Sequence, residues 1–341
     1  MATTLPTLTR TIDNAFVTTW YEIQAMAIDN ILSATPLTVI LQDSGCMKEK
    51  VGGEFITRTI RYDYQTATAI ARGDSLPQGE KEVETMAIWT WRTIASHVQR
   101  SMFDDQKNNG PDKIKDLVGL KLDSARDGLQ QKFEQSGFNA LDSAETSKEL
   151  QGLFDILPPI ASRTSGTYGR IARPSAYADT GNGVFAPSAG NTWWGPKYLQ
   201  GTLASVEDDL LTDMKKLYNT VHNNQSPPNC LVTTQALFEL YEEFALDAVQ
   251  IIKDESTRLA DLGFEVLRFK GKPIFWHSMM TSNVMCMLNL DFVEFVYDPT
   301  YWFDMTDWKP IPLSPDRIAH IVCFANMFTA QPRRHGRLEY A

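Results

Sequence analysis

The chain has 341 residues, 43% of them hydrophobic, enough to bury one large core or two smaller ones. Its formal net charge is -10, and no Lys/Arg run is longer than two, which argues against sequence-independent gripping of nucleic acid by phosphate neutralisation. The four cysteines, Cys46, Cys230, Cys286 and Cys323, are too scattered for a zinc or dithiol motif. Cys230, Cys286 and Cys323 each sit in an apolar run and are expected as small core residues of a protein made in a reducing cytoplasm. The opening Met1-Ala-Thr-Thr-Leu-Pro6 has neither the charged nor the apolar region of a signal peptide, and no apolar stretch approaches the span of a membrane.

Residues up to about Ser44 form a mixed lead-in. It holds one helical stretch with Trp20, Ile23, Ile28, Ile31 and Leu32, then a β-rich run, Pro36-Leu-Thr-Val-Ile-Leu41, expected as a strand. From Gly52 to Thr93 the texture is that of a long hairpin. Its arms are residues 54–64 and 82–91, rich in β-branched and aromatic residues, with turn chemistry between them at Gly73-Asp74 and Pro77-Gln78-Gly79. One face of the first arm carries Ile56, Arg58, Ile60, Tyr62 and Tyr64; the other carries Phe55, Thr57, Thr59 and Arg61. Neither face is cleanly apolar, and an isolated two-stranded hairpin is marginal in water. Two readings follow: an arm completed by another molecule, or an ordinary surface hairpin.

A helical stretch is expected from about Thr93, ended by Asn108-Asn109-Gly110-Pro111. Pro111 suits the first position of a new helix. From Asp112, apolar residues recur at Ile114, Leu117, Val118, Leu122, Ala125, Leu129 and Phe133, the three-and-four spacing of one helical face, with Gly137 as a C-terminal stop. Such a helix is a rod on the order of 35 Å long. Residues 164–198, rich in Gly, Pro, Ser and Trp, read as loops and short strands. A helix follows with Val206, Leu210, Leu211, Met214, Leu217 and Val221 on one face. Then strands at 230–233, 264–269, 273–277, 284–288 and 292–297 alternate with a helix from Gln235 to about Ile252, an α+β pattern with a mixed sheet. A long apolar strand over 317–328 and a basic end, Arg333-Arg334-His335-Gly336-Arg337, close the chain.

Catalytic chemistry is poorly supplied. None of His97, His222, His277, His320 and His335 stands in a metal-binding or nucleophile-activating frame. Gly271-Lys272 lies in a turn between strands and cannot cradle phosphate as a loop before a helix does. Asp179-Thr180-Gly181 matches the triplet of aspartic proteases, but those need two carboxylates sharing a proton, and the single copy here has the composition of a plain turn. A soluble hydrolase using Asp179 is therefore the remote alternative. The aromatic stretch Tyr301-Trp-Phe-Asp-Met-Thr-Asp-Trp308 is expected as a packing anchor around Asp304 and Asp307, with a ligand pocket as the rival reading. No cofactor or metal is expected.

The parts, in this order, resemble the HK97 fold of the major capsid proteins of tailed double-stranded DNA phages. The resemblance is most specific in the last third. Leu262-Gly-Phe-Glu-Val-Leu-Arg-Phe-Lys-Gly-Lys-Pro-Ile274 is similar to a hairpin of that family's axial domain, Met287-Leu-Asn-Leu290 to its next strand, and Pro332-Arg-Arg-His-Gly-Arg-Leu338 to a basic closing segment. It implies an α+β chain with an N-terminal arm (1–46), an extended β-hairpin or E-loop (47–92), a peripheral domain with a long spine helix (93–149), an axial domain (150–300) and a return strand of the peripheral domain (301–341).

The function implied is that of a non-enzymatic shell subunit that self-assembles as hexamers and pentamers into an icosahedral head. That head would enclose DNA without sequence-specific binding and with no membrane, in a virion made in the host bacterial cytoplasm. Portal and scaffolding proteins, and a decoration protein, are the further partners implied. An encapsulin-like bacterial compartment shell is the alternative. Arg58, Arg61, Arg72, Asp74, Glu80 and Lys81 on the hairpin, and Arg333, Arg334 and Arg337 in the closing segment, are the charges expected to set register with neighbouring copies. Some members of the family join an E-loop lysine covalently to a neighbour's asparagine; Lys81 lies near the hairpin tip, but no matching Asn or Glu is evident, so no cross-link is expected.

Overall fold

The computed structural model describes residues 36–74, 76, 79–102, 111–138, 148–222, 226–247, 267–280 and 283–341. The expected lead-in helix around Trp20, the Pro77-Gln78 turn, Asn108-Asn109-Gly110, and residues 248–266 lie outside the described residues.

Two local expectations are corrected. The run beginning at Pro36 is the helix Pro36–Asp43, not a strand. Proline at the first helical position forfeits no hydrogen bond, and Leu37, Ile40 and Leu41 then fall three and four residues apart on a buried face. The stretch after Thr93, expected as a helix, is the strand Arg92–Arg100. Its two buried apolar residues, Ile94 and Val98, are four apart, a spacing that serves a helical face and an alternating strand equally well. What decides is the partner: the strand pairs antiparallel along its whole length with Arg317–Thr329.

Arg317–Thr329 is the centre of a six-stranded sheet. On one edge it meets Val293–Tyr297, Asp304–Met305 and Lys309–Pro310 in turn; on the other it meets Arg92–Arg100. Met47–Glu49 adds a short parallel strand outside Val293–Tyr297. The long helix Pro111–Phe138 packs along Arg92–Arg100 and buries Ala125, Leu129 and Phe133, members of the expected apolar face. Gly137 does not stop it. Instead, a Cβ there would stand 2.8 Å from Leu37 Cδ2, so glycine lets the helix Pro36–Asp43 cross closely. Trp302 packs on Phe133, Phe295 and Tyr297, and the aromatic stretch 301–308 is an anchor on its own sheet.

An eight-stranded mixed sheet forms the other layer. Its order is Leu267–Phe269, Lys272–Trp276, Cys230–Thr233, Val284–Leu288, Gly336–Tyr340, Lys197–Gly201, Val184–Ala189 and Ala176–Asp179. One face, with Leu231, Met285, Met287 and Leu338, is covered by helices Val206–Val221 and Gln235–Asp247. The opposite face, with Val232, Phe275, Cys286 and Leu288, belongs to the same continuous core as the six-stranded sheet. That double coverage explains why Val284–Leu288 is buried at every position and shows no alternation. All four cysteines are buried and unbridged.

The expected boundary at residue 300 does not coincide with the sheets. Val293–Tyr297 already belongs to the six-stranded sheet, and Gly336–Tyr340 returns to the middle of the eight-stranded one.

His335 locks the two sheets where the chain crosses back. Its Nδ1 accepts the Asn289 N–H at 3.2 Å, which puts the proton on Nε2, where it is donated to Thr329 Oγ1 at 3.0 Å. The Thr329 hydroxyl in turn donates to the Phe292 carbonyl at 2.8 Å. Desolvation by burial pushes the His335 pKa down to about 3, from an ordinary value of 6.5. Between those values the unfolded chain holds a proton that the folded chain does not, so stability is full above the upper value and is lost as pH falls toward the lower one. His335→Leu is expected to cost about 1–3 kcal/mol at neutral pH through the orphaned Asn289 N–H, yet to lose less on acidification. Urea unfolding at neutral pH and at about pH 5 measures both, and an unchanged acid slope in the variant would refute the assignment.

Candidate assembly surface

The strands Phe55–Arg61 and Glu84–Thr90 pair antiparallel in an unbroken register, Phe55 opposite Thr90 and Arg61 opposite Glu84. One face of this base lies on the chain's own core: Ile56, Ile60, Ala87 and Trp89 are buried. Trp89 stacks on Phe328 (centroids 4.2 Å apart) and meets Tyr168 edge-on at 5.9 Å. Gly169, at φ 58°, accepts the Ile88 N–H at its carbonyl (3.0 Å) beside this contact. A Cβ at Gly169 would stand 3.0 Å from the Trp89 ring, so both the backbone and the space there demand glycine.

Arg58, between Ile56 and Ile60, is matched within the subunit. Its Nη2 and Nε reach Glu294 Oε2 at 2.5 and 2.9 Å, and Lys48 Nζ takes Oε1 at 3.0 Å. Burial would raise the Glu294 carboxyl's pKa, but the two cations outweigh it and hold the group below its ordinary range. Asn326, wholly buried, fastens the end of the hairpin. Its Nδ2 donates to the Thr90 carbonyl and Gln151 Oε1, while Oδ1 accepts the N–H groups of Gln151 and Met327. The local signal for Asn326 is a polar amide set in the apolar run Phe324-Ala-Asn-Met-Phe328.

Beyond Tyr62, whose ring stacks on Trp193 at 4.9 Å, the chain leaves the sheet. Every described residue from Tyr64 to Glu82 is exposed, including Tyr64 (74%), Ile70 (51%) and Leu76 (68%). The two sides of this arm are joined near its root by the Lys81–Asp63 ion pair (2.7 Å) and by Gln65 Nε2 donating to the Lys81 carbonyl (2.9 Å). At the tip Asp74 closes its own turn, its N–H bonded to the Ala71 carbonyl and its Oδ2 accepting the Ala71 N–H. Exposed large apolar side chains along such an arm are the mark of a contact surface.

The nine expected contact charges therefore separate by place. Arg72, Asp74, Glu80 and Lys81 are on the exposed arm, with Lys81 on Asp63, while Arg61 is exposed at the end of the base strand with its guanidinium over the Tyr64 ring. Arg58 sits at the base, on Glu294. Arg333 is exposed on a short turn that rests on Thr192–Trp194, the same turn that carries Trp193. Arg334 is buried over the Phe292 ring. Arg337, only 1% exposed, does not match the expected placement: its guanidinium is held inside the subunit by Glu339 (2.9 Å) and the Leu157 carbonyl (3.0 Å) and lies over Phe154.

The other expected chemistry stays apart from this surface. Asp179 sits in the turn joining Ala176–Asp179 to Val184–Ala189, where its Oδ1 accepts the N–H groups of Gly181 and Gly183, both at 2.9 Å. Among the described residues no group of three or more His, Cys, Asp or Glu could hold a metal ion, and no helix is long and apolar enough to cross a membrane.

No protein-family model matches the sequence, and no curated protein matches it. Solved structures do match. The capsid asymmetric unit of cyanophage A-1(L) aligns with 85% of this chain and 89% of its own, at a TM-score of 0.60 and 14% identity. The capsid of the native GTA particle aligns with 88% of this chain and 89% of its own, at 0.52 and 10%. The holo-SrpI encapsulin of Synechococcus elongatus covers 90% of this chain and 88% of its own, at 0.51 and 10%. Two of these are capsids and one is an encapsulin complex, and identities this low speak for the backbone architecture alone. The fold is that of the HK97-like capsid proteins.

Proposed function

We propose that this chain is a major capsid protein that self-assembles, as hexamers and pentamers, into the icosahedral head enclosing a phage's double-stranded DNA. The observation that carries the reading is the exposed arm, residues 64–82, projecting from a hairpin base fixed to the core, on a fold matched by capsid structures over most of their length. The hairpin acts as the E-loop and Pro111–Phe138 as the spine helix. Tyr64, Ile70 and Leu76 supply apolar contact with the next copy, and the arm's exposed charges set register. Exposed pairs contribute only about 0–1 kcal/mol each, so specificity is their role. Closed symmetry gives every arm a neighbour, and many moderate interfaces per subunit make the shell hard to dissociate. The acidic chain lines a DNA-filled cavity without adhering to it. Portal and scaffolding proteins are its further partners, and Arg333 is an exposed charge available to them or to a neighbour.

Electron microscopy of purified assemblies tests this reading. DNA-filled heads with a single distinct vertex are expected. Closed shells packed with protein would instead assign the chain to compartments of the encapsulin kind, and small discrete oligomers without shells would sink both readings.

A further inference from the structure

We propose that His97 and His320 form a chelating site for a divalent transition-metal ion of the imidazole-binding kind, zinc being the probe, on the exposed face of the six-stranded sheet. The register of Arg92–Arg100 against Arg317–Thr329 sets His97 directly opposite His320. Opposed residues of an antiparallel pair share a face. They come in a wide, hydrogen-bonded type and a close, non-hydrogen-bonded type.

The backbone bonding identifies which type this is. The His320 carbonyl accepts the Thr306 N–H at 2.8 Å, and the His320 N–H donates to Thr306 Oγ1 at 3.0 Å. Both backbone groups therefore point away from Arg92–Arg100. The Phe324 carbonyl, four residues on, likewise turns to that far side to accept the Asp298 N–H. The two histidines are thus a close pair, the kind whose Cα atoms lie about 4.5 Å apart. Two nitrogens bound to one tetrahedral zinc stand about 3.3 Å apart, given Zn–N bonds of about 2.0–2.1 Å. Imidazoles carried on directly opposed, close-paired positions can reach that separation without moving the sheet.

The site is open to solvent. The long helix covers the other face of these strands, where Ile94, Val98, Ala319, Ile321 and Cys323 are buried, whereas His97 and His320 are exposed. Asp304, opposite Val322, and Lys309, opposite Ile318, put one carboxylate and one ammonium on the same face on either side of His320, so the two imidazoles are the ligands of the site. The remaining histidines are engaged elsewhere: His277 is buried on Glu134, His335 on Thr329, and half-buried His222 stacks on Tyr218. With two protein ligands, the site leaves coordination positions open to water or to a ligand from another molecule, the arrangement in which a metal can also bridge copies. Neutral imidazole suits zinc, copper and nickel in preference to calcium or magnesium. This inference rests on the sheet register and is independent of the proposed shell role.

Calorimetric titration of zinc chloride into the purified full chain tests it. One ion per chain is expected, with binding weakened roughly 10²–10⁴-fold in either His97→Ala or His320→Ala, because each converts a chelate into a single ligand. His222→Ala should bind as the wild type does. Both substituted positions are exposed, so folding is preserved, and His97→Gln with a circular-dichroism check serves if the alanine variant misfolds. Absence of zinc uptake by the wild type, or wild-type affinity in either single variant, would overturn the proposal.

Discussion

Removal of residues 71–80 leaves a folded, soluble subunit that fails to form closed shells. Every described residue in that segment is exposed, and among the described residues its hydrogen bonds are those of the tip turn made by Ala71 and Asp74. The Lys81–Asp63 pair and the Gln65–Lys81 bond lie outside the deletion and still join the two sides of the arm. The thermal midpoint of the free subunit should therefore stay within a few degrees of the parent, since surface changes away from packed features cost within about 0.5 kcal/mol. Shell yield, read by sedimentation and microscopy, should fall to background. Closed shells at normal yield from this variant would remove the arm from the assembly mechanism.

The opposite outcome is expected for Trp89→Ala at the base of the same hairpin. Trp89 is 2% exposed and lies between Phe328, Tyr168 and the backbone at Gly169. Truncating a buried tryptophan costs about 3–5 kcal/mol, the removed contacts plus the cavity left behind. A loss that large is a sizeable share of a domain's total stability. Chemical denaturation should show a lowered midpoint, with shell formation lost as a consequence of unfolding. A midpoint unchanged from wild type would mean that the hairpin base is not fastened to the core through this ring. The two variants together separate what the arm does for the subunit from what it does for the assembly.

Much of this architecture is legible in the residues, and the failures have identifiable physical causes. The long helix, the helix Val206–Val221 and the strands Cys230–Thr233, Val284–Leu288 and Arg317–Thr329 carry strong periodicity or long apolar runs, and local pattern suffices for them. Residues 93–100, expected as helix, form a strand: Ile94 and Val98 satisfy both periods, so the distant partner strand decides. The hairpin's mixed face leaves open, from pattern alone, whether another molecule completes it or it is an ordinary surface hairpin. At the base, the charge that spoils the face, Arg58, is answered by Glu294 from a remote part of the same chain, a pairing no local pattern can reveal. Only the arm beyond Tyr62 keeps the unmatched character that the whole hairpin suggested. Arg337 illustrates the same limit from the other side: a basic cluster reads as surface, yet a carbonyl, a carboxylate and a ring converge on one member and take it inside.

The strand Gly336–Tyr340 has a bearing on how the molecule comes into being. It lies between Val284–Leu288 and Lys197–Gly201, pairing parallel with the latter, so the last-synthesised of the eight strands holds a central place. During translation the two flanks of that sheet can form piecemeal, but neither can dock on the other until Gly336–Tyr340 has been made. Contacts so distant in sequence make for slow folding. They also impose an order: the exposed arm is made long before the strand that joins the two flanks of the sheet.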